Sequence, residues 1–322
     1  MVNLKTSVAM CTYNGEKFLM EQLESIANQS QLPDELIICD DKSTDNTINI
    51  IKKFQEKAPF KVKFVINSKQ LGSTKNFEKA IGLCSGDIIF LADQDDFWMI
   101  DKVEQIINYF DTHPEVALVF TNADITDGLL GDLGYSLWEA INFSLNEQAK
   151  LENSNQLEVL LKKNVVTGAT AAFRTKYNET ILPISQNWIH DGWIAIILAM
   201  EERIGFIDQS LIKYRQHSNN QIGALKQKVA LKKLLVNRQV RVQNIIREET
   251  TIKDLIRHVD WEKMPVNKNN RDLMDDKLMH LELRRNLPTR FLPRSRIIWS
   301  NLQGYKKYSN GFSSILIDLL RF

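Results

Sequence analysis

The chain has 322 residues, 43% of them hydrophobic, and a formal net charge of +1, a globular composition with material for one large or two modest domains. Its three scattered cysteines, Cys11, Cys39 and Cys84, exclude a disulfide framework or a zinc cluster and favour a reducing, cytoplasmic setting. Met1 to Asn14 lacks the apolar run of a signal peptide, and no segment approaches the ~18 apolar residues of a membrane span.

Taken in order, Thr6 to Cys11 reads as a short strand, and Thr12-Tyr13-Asn14-Gly15 as a turn into a helix from Glu16 to Asn28, with Phe18, Leu19, Leu23 and Ile26 near helical spacing. Glu35 to Cys39 is a second strand. It runs into the polar loop Asp40 to Thr47, whose last residues are suited to capping a helix from Ile48 to Glu56. Lys61 to Ile66 is a third strand, and a loop with Gly72 leads to a helix from Thr74 to Cys84. Ile88 to Ala92, five apolar residues in a row, is a fourth strand buried on both faces. Strand alternating with helix in this way predicts an α/β fold with a largely parallel sheet.

Asp93, Asp95 and Asp96 follow that fourth strand directly. Three carboxylates so close repel one another, and a hard divalent cation, Mg²⁺ or Mn²⁺, is the usual partner; a solvated acidic turn is the alternative. Polar residues end three strands, at Thr12/Asn14, Asp40/Asp41 and Asp93/Asp95/Asp96. In a parallel sheet those ends share one edge and meet in one crevice. No Gly-x-Gly-x-x-Gly follows the first strand and no Gly-x-x-x-x-Gly-Lys occurs, which disfavours a dinucleotide oxidoreductase and a P-loop ATPase.

Farther on, Ile100 to Phe110 reads as a helix and Val116 to Asn122 as a strand, while Asp124 to Asn155 has no clear period and reads as loop or short helices. Val165 to Phe173 is a β-type run interrupted by Gly168, a position suited to close backbone approach. Trp188-Ile189-His190-Asp191-Gly192-Trp193 then precedes the apolar stretch Ile194 to Met200. A carboxylate there is either chemical or a helix cap.

The last third changes character. Residues 1–225 hold 20 Lys and Arg against 30 Asp and Glu, and residues 226–322 hold 21 against 10. A boundary just after Gly223 is expected, dividing the chain into 1–223 and a basic, mainly helical region 224–322. Lys226, Lys228, Lys232, Lys233, Arg238, Arg241 and Arg247 lie among aliphatic residues, Arg290 to Trp299 mixes aromatics with Arg, and Ser313 to Phe322 is an apolar helix. Such a region suits an anionic membrane surface; a solvated bundle is the alternative, and no nucleic-acid recognition motif is present.

Five pieces in order carry a resemblance: Thr12-Tyr13-Asn14-Gly15-Glu16, Glu21 to Ile26, Asp40 to Thr47, Asn76-Phe77, and Asp93-Gln94-Asp95-Asp96-Phe97-Trp98. Residues 8–98 resemble the nucleotide-sugar half of family 2 glycosyltransferases, inverting enzymes of the GT-A fold, and the last piece resembles the rhamnosyltransferase branch that builds bacterial surface polysaccharides. The resemblance implies a GT-A domain, Rossmann-like and nucleotide-sugar-binding, with a mixed, mostly parallel sheet, whose 1–114 half holds the donor and 115–223 half the acceptor. It implies Thr12, Asn14 and Asn76 against the nucleotide, Asp41 on the base, Asp93 on the ribose, and Asp95 on a Mg²⁺ or Mn²⁺ that bridges the diphosphate. Asp191 falls where the family has its general base, with His190 where another acid usually stands. Tyr214-Arg215-Gln216-His217 resembles a Tyr-Arg-x-His segment in which His217 completes the metal or diphosphate site.

Asp96, Gly168, His190, Trp193 and Arg215 are expected on the acceptor side or behind these groups. Where many relatives have Gly in the second-strand loop, this chain has Lys42. The implied reaction moves a hexose, rhamnose first among the candidates, from a dTDP- or UDP-sugar to a hydroxyl of a polysaccharide or lipid-linked glycan. The expected setting is the cytoplasm or the inner face of the cell membrane. The rivals are a non-catalytic nucleotide-sugar or membrane-surface binding protein and a sugar nucleotidyltransferase.

Overall fold

The structure, a computed structural model, describes residues 4–153, 155–217, 238–259 and 268–320. The chain forms two compact units: Met1–Ala149 with Val165–Leu198 and Arg203–Leu225, and Lys150–Asn164 with Ala199–Glu202 and Lys226–Phe322. The expected boundary after Gly223 lies outside the described residues, as does the basic run from Lys226 to Val236.

In chain order the elements up to the end of the sheet are β1 (Thr6–Thr12), α1 (Leu19–Ala27), β2 (Glu35–Asp40), α2 (Thr47–Gln55), β3 (Lys61–Ile66), α3 (Ser73–Leu83), β4 (Ile88–Ala92), β5 (Phe97–Trp98), α4 (Lys102–Thr112), β6 (Leu118–Thr126), β7 (Asp132–Ser136), α5 (Leu137–Ala140), α6 (Leu145–Glu152), α7 (Gln156–Lys162), β8 (Ala172–Arg174), α8 (Asn178–Ile181), α9 (His190–Ala199) and β9 (Ile204–Arg215). The sheet order is β3-β2-β1-β4-β8-β6-β9-β5, with β7 on β6. β3, β2, β1 and β4 run parallel. β2 and β4 are buried at every residue, β1 at all but Cys11, which is why their sequences are nearly continuous apolar runs rather than alternating ones. β3 is the edge, and its Lys61 and Lys63 face solvent.

Beyond β4 the sheet becomes mixed. β8 is antiparallel to both β4 and β6, β9 is parallel to β6, and β5 is antiparallel on β9. The expected strand from Val165 to Phe173 is corrected here: Gly168–Thr170 is a turn of 3-10 helix, and only Ala172–Arg174 pairs. Local bonds win over the ladder, because Thr170 N and Oγ1 both donate to Thr167 O, at 2.9 and 2.8 Å. The stretch without period from Asp124 resolves into β7, α5 and α6. Its signal is Ser136-x-x-Glu139, a capping box in which Glu139 N donates to Ser136 Oγ and Ser136 N to Glu139 Oε2. Trp138 and Phe143 then pack on Phe120 and Phe206 with centroids 5.1–6.0 Å apart.

The described part of the second unit is helical: α7 and the helices Arg238–His258, Lys268–Arg285, Phe291–Ser300, Leu302–Tyr308 and Phe312–Leu320. At its centre Asp318, fully buried, accepts from Arg241 Nη1 (3.1 Å), Arg284 Nε (2.8 Å) and Tyr305 Oη (2.7 Å). His280 lies against this cluster, 2.8 Å from Ser309 Oγ and edge-on to Tyr305. Burial, with Arg284 and Lys277 adding and Asp318 opposing, pushes it down to about 3.

A histidine in the unfolded chain titrates near ~6.5, so below that pH the unfolded state takes up a proton that the folded state refuses. Stability should therefore fall as pH drops from about 6.5 toward 3, by about 2 kcal/mol between pH 6.5 and 5 from this residue. Urea unfolding of the native chain and of His280→Gln at both pH values measures it. The variant should lose about 2 kcal/mol less than the native chain on acidification, and an equal loss would contradict the assignment.

Candidate functional site

The parallel strands β1, β2 and β4 end on one edge, and side chains at those ends bond across to one another. Thr12 Oγ1 donates to Asp40 Oδ2 (2.8 Å), and Ser43 donates to the same carboxylate through N (2.8 Å) and Oγ (2.6 Å). Asn14 N donates to Ser43 Oγ (2.9 Å), and Thr44 N to Asn14 Oδ1 (2.9 Å). Asn14 holds φ +48° and Lys42 φ +68°, so Lys42 occupies the left-handed conformation that a glycine adopts without strain. Asp41 accepts from Leu71 N (2.7 Å), Gly72 N (2.9 Å) and Asn67 Nδ2 (2.9 Å). Asn76 donates to Cys39 O (2.8 Å) and accepts from Asn67 (2.8 Å). Thr12, Asp41 and Asn76 are all buried, and their bonds hold the loops after β1, β2 and β3 in one shape.

After β4 the chain turns sharply with Asp93 and Asp95 partly exposed and Asp96 buried. Gln94 bonds Tyr13 in both directions, accepting from its N (2.8 Å) and donating to its O (3.1 Å). A Cβ on Gly15 would lie 2.3 Å from Gln94 Oε1, so the glycine in the first turn is required by this bridge. Burial, then the Asp95 and Asp191 carboxylates, push Asp93 up to about 7 against the pull of Lys102. Burial, then Asp95 and Asp93, raise Asp96 well above the carboxylate range.

Two buried cations stand behind the acids. Lys102, fully buried, donates to Ala169 O (2.7 Å) and lies 3.9 Å from the centre of the Trp98 ring. Burial pushes it down to about 7, opposed by Asp96 and Asp93. The sequence reading passed over this residue, although the signal was there: Lys102 shares the buried stripe of α4 with Ile106 and Phe110, at spacings of four. The second is Arg215, also buried, whose N donates to Asp96 Oδ1 (3.2 Å), Nε to Asp95 O (2.7 Å) and Nη1 to Gly128 O (2.8 Å), while Nη2 pairs with Glu21. Its guanidinium lies 4.4 Å from the Phe18 ring, and the same ring lies tilted 4.8 Å from that of His217. β9, which the sequence reading did not identify, carries both residues to the turn.

His217 Nε2 and Asp95 Oδ2 are 2.8 Å apart. The contact is a hydrogen bond, and an imidazole nitrogen beside a carboxylate is a donor pair that would suit a divalent cation. An imidazole beside a carboxylate suits Mn²⁺ better than Mg²⁺. Among the described residues no group of three or more His, Cys, Asp or Glu side chains is arranged to hold a metal.

Asp191 is the second residue of α9, and Gly168 N donates to its Oδ2 (2.9 Å). His190 is buried, stacked on Phe77 at 3.8 Å, and burial lowers its pKa against the opposing charge of Asp191. A Cβ on Gly168 would stand 2.8 Å from His190 Nε2 and 3.4 Å from Asp191 Cβ. The structure thus brings Gly168, His190 and Asp191 together, and the Asp191 charge contributes, after burial and Asp95, to the rise at Asp93. Trp193 faces inward, its Nε1 donating to Ile181 O (2.8 Å) and its ring 5.9 Å from Trp188.

Residues 7–182 match the family model described as Glycosyl transferase family 2. The chain is 28% identical to an uncharacterized glycosyltransferase of Nostoc sp. over 69% of its own length and 68% of the relative's. It is 29% identical to the dTDP-rhamnosyl transferase RfbG of Shigella flexneri, covering 67% of this chain and 74% of that one. Its fold resembles S. aureus TarS in complex with UDP-GlcNAc, with a TM-score of 0.58, 17% identity, and 94% and 81% of the two chains covered. It also resembles the mannosyltransferase PcManGT of Pyrobaculum calidifontis in complex with GDP-Man and Mn²⁺, with a TM-score of 0.54, 14% identity, and 98% and 78% covered. The expected GT-A architecture is the one observed.

The fit around Gly168 gives a test. Gly168→Ala should force the buried His190 ring to shift, at some cost in stability but with the secondary structure retained, and displace the Asp191 carboxylate enough to slow catalysis by about 10²-fold. Circular dichroism and turnover measured together check this, and an unchanged rate would show that the close approach carries no chemistry.

Proposed function

The chain belongs to glycosyl transferase family 2 and is a glycosyltransferase, and from that premise we propose that it is an inverting enzyme whose base is Asp191. The observation that carries the reading is the Asp191 carboxylate, fixed by the Gly168 N–H at the start of α9, in the same electrostatic field as the acidic turn after β4. Residues 1–223 would make the catalytic domain. Thr12, Asn14 and Asn76 shape the nucleotide side, Asp41 meets the base and Asp93 the ribose. Asp95 and His217 would hold Mg²⁺ or Mn²⁺, which when bound supplies positive charge for the leaving diphosphate.

In one displacement an acceptor hydroxyl oxygen bonds to the anomeric carbon from the face opposite the diphosphate. Its proton passes to Asp191, the bond from carbon to the diphosphate oxygen breaks, and nucleoside diphosphate departs. The transition state has oxocarbenium character. Likeness to the dTDP-rhamnosyl transferase favours a dTDP-sugar, rhamnose first, with UDP-sugars next. The acceptor is a hydroxyl of a growing surface polysaccharide or lipid-linked glycan, met at the inner face of the cell membrane.

Asp191→Asn preserves shape and removes the proton acceptor. Donor affinity, read by titrating dTDP-rhamnose and UDP-sugars with Mn²⁺, should stay within a few-fold, while transfer falls ~10²–10⁴-fold. Transfer at the native rate would move the base elsewhere, first to His190. Release of pyrophosphate instead of nucleoside diphosphate would replace this reading with a nucleotidyltransferase.

A further inference from the structure

In the second unit the helices Phe291–Ser300, Leu302–Tyr308 and Phe312–Leu320 close a small core of Leu287, Ile298 and Tyr305, with Leu283, Ile297, Ile315 and Leu319 packed against it. Their outward faces are not those of solvated helices. Phe291, Leu292 and Trp299 are 56%, 69% and 61% exposed. Their spacings of seven and eight residues put Trp299 on the same side of the helix as the other two. Phe312 and Leu320, eight apart on the last helix, are 77% and 62% exposed. Large apolar side chains bared together on one element mark an interaction surface.

Within residues 286–320 the exposed charges have one sign. Arg290, Arg296 and Lys306 are exposed and Lys307 is partly so. Asp318, the one acid among the described residues 286–320, is fully buried and paired with Arg241 and Arg284. A two-fold contact with a second copy would set these cations against their own equivalents with no acid to offset them. A surface that offers negative charge at its boundary and hydrocarbon beneath satisfies both features.

We propose that the exposed residues of segment 290–320 dock on an anionic lipid bilayer, with Phe291, Leu292, Trp299, Phe312 and Leu320 entering the headgroup boundary and Arg290, Arg296, Lys306 and Lys307 meeting lipid phosphates. The attachment is peripheral, since no described helix is long and apolar enough to cross a membrane. The proposal rests on the reading that the enzyme works at a membrane. Vesicle binding is therefore measured apart from sugar transfer, so that either can fail alone.

The test is co-sedimentation of the full chain with vesicles of phosphatidylcholine containing phosphatidylglycerol, and with phosphatidylcholine alone. Binding should require phosphatidylglycerol and weaken as salt is raised. Arg290→Gln with Arg296→Gln should weaken it about fivefold for each cation removed. Trp299→Ser with Phe312→Ser should release the protein, while thermal midpoint and transfer to a soluble acceptor stay as in the native chain. Equal binding to both vesicles, or binding to neither, would overturn the proposal. So would a dimer in sedimentation velocity that Phe312→Ser abolishes, because a second copy would then cover these residues.

Discussion

Three carboxylates held within four residues at the end of one buried strand repel one another, and much of the catalytic unit is arranged around that repulsion. Asp96 is turned inward, where an isolated charge would be costly. It is met by the Arg215 backbone N–H and by the field of Lys102. Arg215 also takes the Asp95 carbonyl, so one guanidinium on β9 fixes the turn that aims Asp95 at His217. Lys102 reaches the other way, to Ala169 O, next to the Gly168 N–H that holds Asp191. The acidic turn and the Asp191 carboxylate therefore share supports in the same buried layer.

The loops after β1, β2 and β3 are set in a comparable manner by neutral and acidic groups. Asp40 gathers Thr12 and Ser43, Asp41 gathers the backbone of Leu71 and Gly72, and Asn67 joins Asp41 to Asn76. Loops tied this way before a ligand arrives lose little freedom when it binds. The positive φ of Asn14 and Lys42 fits such a site, where locally unfavourable backbone is kept in place by surrounding bonds.

What the sequence made legible follows from where each signal originates. β1, β2 and β4 announce themselves as apolar runs, and the helices α1 to α4 by their period, with errors only at the ends. The start of α1, for example, falls at Leu19 rather than Glu16, because Phe18 N and Leu19 N both bond Gly15 O and make a separate turn first. The acidic turn and the His190-Asp191 pair stand out in the sequence as candidates, and the structure places Asp191 on the Gly168 N–H. Partnerships made at long range were not legible: the stripe of α4 marks Lys102 as buried, but its partners Asp96, Trp98 and Ala169 come only from the fold. β9 was missed since its middle is exposed and its pairing shifts register against β6 near Asn122. The interruption at Gly168 signals close backbone approach, but not which groups approach: they are His190 and Asp191 of the same chain.

The central claim is a single displacement with Asp191 accepting the acceptor's proton, and the configuration of the transferred sugar tests it most directly. Nuclear magnetic resonance of the product formed from an anomerically defined donor reads the one-bond carbon–hydrogen coupling at the new linkage. The account predicts the anomeric configuration opposite to the donor's. A product that retains the donor configuration would contradict it, because retention cannot arise from one attack opposite the diphosphate.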